Sequence, residues 1–142
     1  IKMKLNPLRE VISGKRVILV DDSIVRGTTS SKIISLLREF GAKEIHMRVS
    51  SPPVKYSCYY GIDTAQTRDL IANERQVENI RKQIGPDSLA YLSIDGLLEA
   101  IGLDESHFCM ACFNSDYPIS LPPRQLDLGK MVFENSHAGA GT

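Results

Sequence analysis

The run Val17-Ile18-Leu19-Val20-Asp21-Asp22-Ser23-Ile24-Val25-Arg26-Gly27-Thr28-Thr29-Ser30 constrains this chain more than any other stretch. Its first four residues are continuously apolar and include two valines. That suits a strand buried on both faces of a parallel sheet. Two adjacent acids follow where such a strand ends. A short loop then carries a glycine and three hydroxyl residues into an amphipathic stretch. Strand, acids, loop and helix start in this order fit an open α/β sheet, in which ligands lie beyond the carboxyl ends of the strands.

The residue types suggest what such a crevice takes. Asp21 and Asp22, both ionised, repel each other unless cations or sugar hydroxyls satisfy them. A diol with Mg²⁺ nearby does so. Gly27 lets the backbone approach an anion closely. Thr28, Thr29 and Ser30 offer hydroxyls, and the first free N–H groups of the helix point the same way. Arg26 either adds charge or faces solvent. The string therefore reads as a ribose-phosphate site with the phosphate at the helix start. The plainer alternative is a strand ending in an Asx turn, with Thr28 as an ordinary N-cap.

Around this run the pattern is that of one βαβ unit. Residues from Asn6-Pro7 to Lys15 read as a connector with a helical turn. A helix is expected from Thr29 to Phe40, with Ile33, Ile34, Leu37 and Phe40 on one face and Gly41 as its C′ residue. Ile45, Met47 and Val49 alternate with His46 and Arg48, as in a strand. Pro52-Pro53 stops it. Short helices follow: one capped by Asp63-Thr64 and running to Ile71, one marked by Val77, Ile80 and Ile84 and closed by Gly85-Pro86. Tyr91-Leu92 reads as a brief strand. Ser93 reads as the N-cap of a last helix that carries Leu97, Leu98 and Ile101 and ends at Gly102. His46 reads as a packed or surface residue.

Composition excludes several classes. The 142 residues suit one modest domain, and 42% hydrophobic with 24% charged residues is ordinary for a globular chain. Net charge is zero, so nothing points to nucleic acid or an acidic membrane surface. No apolar stretch approaches the roughly 20 residues that span a bilayer, and the polar start Ile1-Lys2-Met3-Lys4-Leu5 is no signal peptide. Three cysteines without such a signal point to a reducing, cytoplasmic setting. Two of them form Cys109-Met110-Ala111-Cys112, and Cys58 lies upstream. A C-x-x-C pair alone is half a zinc site, a redox pair, an iron–sulfur pair or two buried structural thiols. His107 is a further candidate zinc ligand.

Asp21-Asp22-Ser23-Ile24-Val25-Arg26-Gly27-Thr28-Thr29 resembles the phosphoribosyl-pyrophosphate (PRPP) motif of the type I phosphoribosyltransferases, in the version of the amidophosphoribosyltransferase family. Four further blocks are similar and fall in the same order: Ser51-Pro52-Pro53, Cys58 to Thr64, Leu92 to Leu98 and Cys109 to Phe113. The likeness covers about residues 1–118. It implies an α/β fold, namely part of a type I phosphoribosyltransferase (a Rossmann-like parallel sheet) followed by a mostly helical extension. The implied organisation is a partial transferase domain over 1–54, the helical extension with the cysteines over 55–118 and a flexible tail, containing His137, over 119–142. The chain is expected to be a C-terminal piece that lacks a glutaminase domain and much of the transferase sheet.

The resemblance also implies an activity: PRPP, glutamine and water give 5-phosphoribosylamine, glutamate and pyrophosphate, the first step of purine synthesis. Asp21 and Asp22 would hold the ribose hydroxyls and lie near Mg²⁺. Arg26 to Ser30 would hold the 5′-phosphate, within a PRPP-binding stretch that includes Ser23, Ile24 and Val25. Purine nucleotides would inhibit, glutamine would act through the missing domain, and the whole would be a homo-oligomer. The fragment alone is expected to be inactive. Some family members hold a [4Fe–4S] cluster, and Cys58, Cys109 and Cys112 match three of its ligands. The fourth would lie before Ile1. Tyr59, Tyr60 and Asp63 would brace that region. Two other readings remain, a PRPP-sensing module without turnover and a transferase that salvages a base.

Overall fold

A computed structural model describes residues 6–64 and 66–120. The start Ile1–Leu5 and the expected tail from residue 121 onward, with His137, lie outside the described residues.

The order of elements is α1 (Arg9–Ile12), β1 (Arg16–Asp21), α2 (Thr28–Glu39), β2 (Glu44–Val49), α3 (Val77–Ile84), β3 (Ser88–Tyr91), α4 (Ile94–Ile101) and α5 (Ala111–Asn114). Single 3₁₀ turns lie at Thr67–Asp69 and Glu105–His107. The three strands form one parallel sheet in the order β1-β2-β3. Val17 stands beside Ile45 and Asp21 beside Val49, while Val49 also faces Tyr91 on its other side.

One face of the sheet carries the core. Ile45, Met47 and Val49 of β2 meet Ile34 of α2 and Ile80 and Ile84 of α3 in one buried cluster. Ile24, Ile71 and Ala72 join it from the loops. Val17 and Leu19 pack on it only partly. The other face is open. Ile18 and Val20 are 69% and 67% exposed, which corrects the expectation of a strand buried on both faces. The reason is the layer count: α2 and α3 cover the inward positions, and no described helix covers the alternate ones. His46, on that open face, sits between Ser88 Oγ at 2.9 Å and the Glu44 carboxylate at 3.1 Å.

The helix α2 follows its apolar spacing, with Leu36 buried in addition to Ile34. It ends with Gly41 at φ 91°, the left-handed C′ residue expected there. Ser93 caps α4 by accepting the Gly96 N–H at 3.0 Å. The strand expected at Tyr91-Leu92 begins earlier, at Ser88. Asp87 anchors its start: its N–H donates to Ile45 O, and its carboxylate accepts the Ile45 N–H at 2.6 Å. The segment after residue 54 thus adds a strand to the sheet and Ile80 and Ile84 to its core.

The helix expected from Asp63 to Ile71 is replaced by the short turn Thr67–Asp69. Its backbone and side chains are committed elsewhere. Thr64 Oγ1 accepts the Cys58 N–H at 2.8 Å, and the Ile71 N–H donates to Val25 O at 2.8 Å instead of to its own chain four residues back. The first bond ties the segment to the Cys58 stretch, and the second lashes it to the loop that follows β1.

Candidate functional site

The loop between β1 and α2 opens on a cleft of about 840 Å³. Every residue from Asp21 to Ser30 lines it, with Asp63, Thr64, Gln66, Arg68 and Asp69. The cleft lies at the carboxyl end of β1, where the sheet geometry puts ligands.

The acids are held at the strand end by local bonds. The Asp22 N–H donates to Asp21 Oδ1 at 3.1 Å, and Ser23 Oγ donates to Asp22 Oδ1 at 3.2 Å. The Ser50 N–H ties Asp21 O to the end of β2 at 2.9 Å. Asp22 is exposed and Asp21 half-buried, so neither turns into the core. Ile24 does: it is 1% exposed and belongs to the apolar cluster. What Ile24 offers a ligand is therefore its main chain. Val25 O is already taken by the Ile71 N–H.

The turn into α2 exposes donors. Gly27 is the N-cap residue, at φ 76° and ψ −6°, and no side chain caps the helix. This differs from an ordinary Thr28 cap. The first helical bond runs from the Ser31 N–H to Gly27 O at 2.9 Å. The N–H groups of Thr28, Thr29 and Ser30 precede that ladder and are the unsatisfied donors of a helix start. Thr28 and Thr29 are exposed, and Ser30 is 3% exposed at the base of the cleft. The helix dipole adds positive potential at the same place. Only glycine fits at residue 27: a Cβ there would stand 2.4 Å from Ile71 Cδ1.

Gln66, Arg68 and Asp69 were not recognised from sequence as cleft residues, because the helix expected over 63–71 hid them. Asp63 lines the cleft too. Arg68 adds a guanidinium to a wall already carrying Arg26.

The segments that carry the three cysteines adjoin at a second place. The Lys55 and Tyr56 N–H groups both donate to Cys112 O, at 2.9 and 3.1 Å, which brings the Cys58 segment beside α5. The Tyr60 N–H donates to Cys58 Sγ at 3.4 Å. Tyr117 stacks edge-on against Tyr59 at 5.4 Å, and its hydroxyl donates to Ser57 O at 2.7 Å. Burial pushes the Cys112 thiol up, and the nearby Cys58 and Cys109 push it the same way. All three thiols are free of disulfides. Among the described residues no three His, Cys, Asp or Glu side chains are gathered closely enough to hold a metal ion. His107 accordingly joins no such group; its ring lies 3.3 Å from Asp104 O and beside Phe108.

The parallel sheet, with two acids closing one strand and an open helix start behind them, matches a type I phosphoribosyltransferase fold. Residues 2–68 match the family described as "Phosphoribosyl transferase domain". The amidophosphoribosyltransferase of Synechocystis sp. is 58% identical over 135 residues, 95% of this chain and 27% of that protein. The chloroplastic amidophosphoribosyltransferase 1 of Arabidopsis thaliana is 60% identical over 119 residues, 84% of this chain and 21% of that protein. A solved structure of glutamine PRPP amidotransferase from B. subtilis, complexed with ADP and GMP, superposes with a TM-score of 0.77. It is 50% identical and covers 83% of this chain and 27% of that one. The chain is a relative of the amidophosphoribosyltransferases and spans about a quarter of the length of those it matches. Among the described residues no helix is long and apolar enough to cross a membrane.

Proposed function

We propose that the cleft after β1 binds the ribose 5-phosphate part of PRPP in an enzyme that makes 5-phosphoribosylamine from PRPP and glutamine at the start of purine biosynthesis. The observation that carries this reading is the single cleft lined by the whole run Asp21 to Ser30. In it the carboxylates of Asp21 and Asp22 accept hydrogen bonds from the ribose 2′ and 3′ hydroxyls. The N–H groups of Gly27 to Ser30 donate to the 5′-phosphate, with Arg26 adding charge at the rim. These groups act by positioning and charge compensation, and none is a nucleophile. The second strand of evidence is the identity to relatives that carry this name.

Hard carboxylate oxygens at Asp21 and Asp22 suit Mg²⁺. Bound there with the substrate's pyrophosphate, the ion would stabilise the leaving charge. Among the described residues no three such ligands are gathered; the substrate's pyrophosphate would supply the others. Purine nucleotides share a ribose 5-phosphate with PRPP, so the same cleft takes them as inhibitors. Ammonia comes from glutamine in a domain outside this chain, and the fragment by itself does not turn over. The whole acts as a homo-oligomer in the cytoplasm.

Cys58, Cys109 and Cys112 hold part of a [4Fe–4S] cluster whose fourth ligand lies outside this chain. The bonds from the Lys55 and Tyr56 N–H groups to Cys112 O, which bring the Cys58 segment beside α5, and the N–H donated to Cys58 Sγ support this. Loaded, the cluster would tie 58–60 to 109–117 and carry no catalytic step. Iron and sulfide analysis of the full-length protein, purified without oxygen, tests it: a colourless, iron-free protein overturns it.

For the cleft, PRPP binding and ammonia-dependent turnover are measured on the full-length protein with Asp21→Asn and Asp22→Asn combined. PRPP affinity should fall by about tenfold or more with stability unchanged, since removing charge from hydrogen bonds to two hydroxyls costs roughly 1.5 kcal/mol or more. Unchanged affinity refutes the assignment. Binding without turnover in the parent protein would make this a PRPP sensor.

A further inference from the structure

Among the described residues two polar residues are buried, Ser30 at 3% exposure and Ser57 at 6%. Ser30 lines the cleft after β1, and Ser57 does not. A hydroxyl taken out of water costs free energy unless it is hydrogen-bonded, so the partners of Ser57 show what its burial serves. Its Oγ lies 2.9 Å from Thr67 Oγ1, and its N–H donates to the same atom at 3.4 Å. From the other side Ser57 O accepts the Tyr117 hydroxyl at 2.7 Å. Tyr117 in turn packs edge-on against Tyr59 and Tyr60, at 5.4 and 6.1 Å. Ser57 is thus a fixed anchor.

Thr67 opens the turn Thr67–Asp69. Its neighbours Gln66, Arg68 and Asp69 line the cleft, whereas Thr67 does not. The Asp69 N–H donates to Gln66 O at 2.8 Å and the Leu70 N–H to Thr67 O at 3.1 Å, so the turn is one closed piece. Beyond it the Ile71 N–H donates to Val25 O at 2.8 Å, and Leu70 and Ile71 are buried. This wall of the cleft is therefore pinned at two points, through Thr67 to Ser57 and through Ile71 to the loop after β1. Without the first, Leu70 and Ile71 keep their places in the core, but Gln66, Arg68 and Asp69 lose the bond that sets them against Asp21 to Ser30. A wall ordered before a ligand arrives spares binding the cost of ordering it.

Resting on the reading of the cleft as a ribose 5-phosphate site, we infer that Thr67, held by Ser57, is a positioning residue for PRPP. It sets the wall of residues 66–69 against the substrate without touching it.

The test uses the full-length protein and ammonia-dependent turnover of PRPP. Thr67→Val keeps the shape of the side chain and removes the hydroxyl. It should raise the PRPP KM about three- to tenfold, the scale of one neutral hydrogen bond, with kcat within about twofold of the parent. Thr67→Ser keeps the hydroxyl and should hold KM within about twofold of the parent. Ser57→Ala leaves the Ser57 N–H in place and should raise KM about threefold, and adding it to Thr67→Val should raise KM no further. Ser93→Ala removes a bond of the same kind at the start of α4, outside the cleft, and should leave KM unchanged. A parent-like KM in Thr67→Val overturns the inference. So does a Thr67→Ser protein as impaired as Thr67→Val, or an equal rise in Ser93→Ala, because either would report a general loss of packing. If Thr67→Val does not fold, Ser57→Ala decides: a raised KM supports the inference and a parent-like KM overturns it. Failure of ribose 5-phosphate to bind the parent protein overturns instead the reading of the cleft, and this one with it.

Discussion

Gly27→Ala probes the one backbone position on which both the loop and the core depend. Gly27 sits at φ 76°, where an L side chain costs about 1–2 kcal/mol. Its missing Cβ matters as much. An added methyl would stand 2.4 Å from Ile71 Cδ1, 3.4 Å from Ile84 Cγ1 and 3.5 Å from Ile84 Cδ1. Ile71 and Ile84 are each 3% exposed, so the Ile71 methyl has little open space to turn into. Overpacking of this kind costs about 1–3 kcal/mol. The two parts together predict a loss of about 2–5 kcal/mol and a weaker hold on ribose 5-phosphate. Gly14→Ala is the control: its φ is 72°, but a Cβ there meets nothing within 4 Å. It should lose only the conformational part. Ile71→Val removes the clashing Cδ1 and should by itself cost about 0.5–1.5 kcal/mol. In the double variant the steric part disappears, giving a favourable coupling of about 1–3 kcal/mol. Urea unfolding of the full-length protein, with hydrogen exchange read over residues 17–34, measures all four. A Gly27→Ala protein within about 0.5 kcal/mol of the parent, or no coupling to Ile71→Val, would refute the packing argument.

Two further substitutions separate contacts that stabilise from those that do not. Asp87→Ala strands the N–H of Ile45, which is 0% exposed, and should cost about 1–3 kcal/mol in urea unfolding; Asp87→Asn keeps an acceptor and should cost less. The same carboxyl is held below its usual range by the Ile45 N–H and by Arg38 at 2.6 Å. Its contribution is therefore complete above about pH 4 and is lost as the pH falls through the depressed folded value, so the parent should lose more stability than Asp87→Asn on acidification. The Tyr91 hydroxyl is buried with no hydrogen-bond partner among the described residues, and its pKa is pushed up to about 12 by burial. Tyr91→Phe should leave thermal stability unchanged or raise it by about 1 kcal/mol, and a clear loss would mean that the hydroxyl has a partner in the full-length protein.

What could be read from the chain divides along physical lines. The β1–loop–α2 unit was legible because its signals are local: a continuous apolar run, two acids, a glycine and a helical stripe. Gly41, Gly85 and Gly102 marked helix ends by the same local rule, and each has a positive φ. The open face at Ile18 and Val20 was not legible, since a run of apolar residues says nothing of whether a second layer is present to cover it. The segment 63–71 misled for the opposite reason. Its composition suits a helix, but Thr64 and Ile71 make tertiary bonds to Cys58 and Val25 that no window of sequence displays. Arg68 went unnoticed with it, because a residue brought to the cleft only through such bonds looks like an ordinary surface charge.

A crystal structure of the full-length protein with ribose 5-phosphate tests the central claim most directly. The account predicts phosphate oxygens about 3 Å from the main-chain nitrogens of Gly27 to Ser30 and the sugar hydroxyls on the carboxylates of Asp21 and Asp22. A sugar phosphate bound away from these residues, or lying here with its hydroxyls turned from both carboxylates, would contradict it.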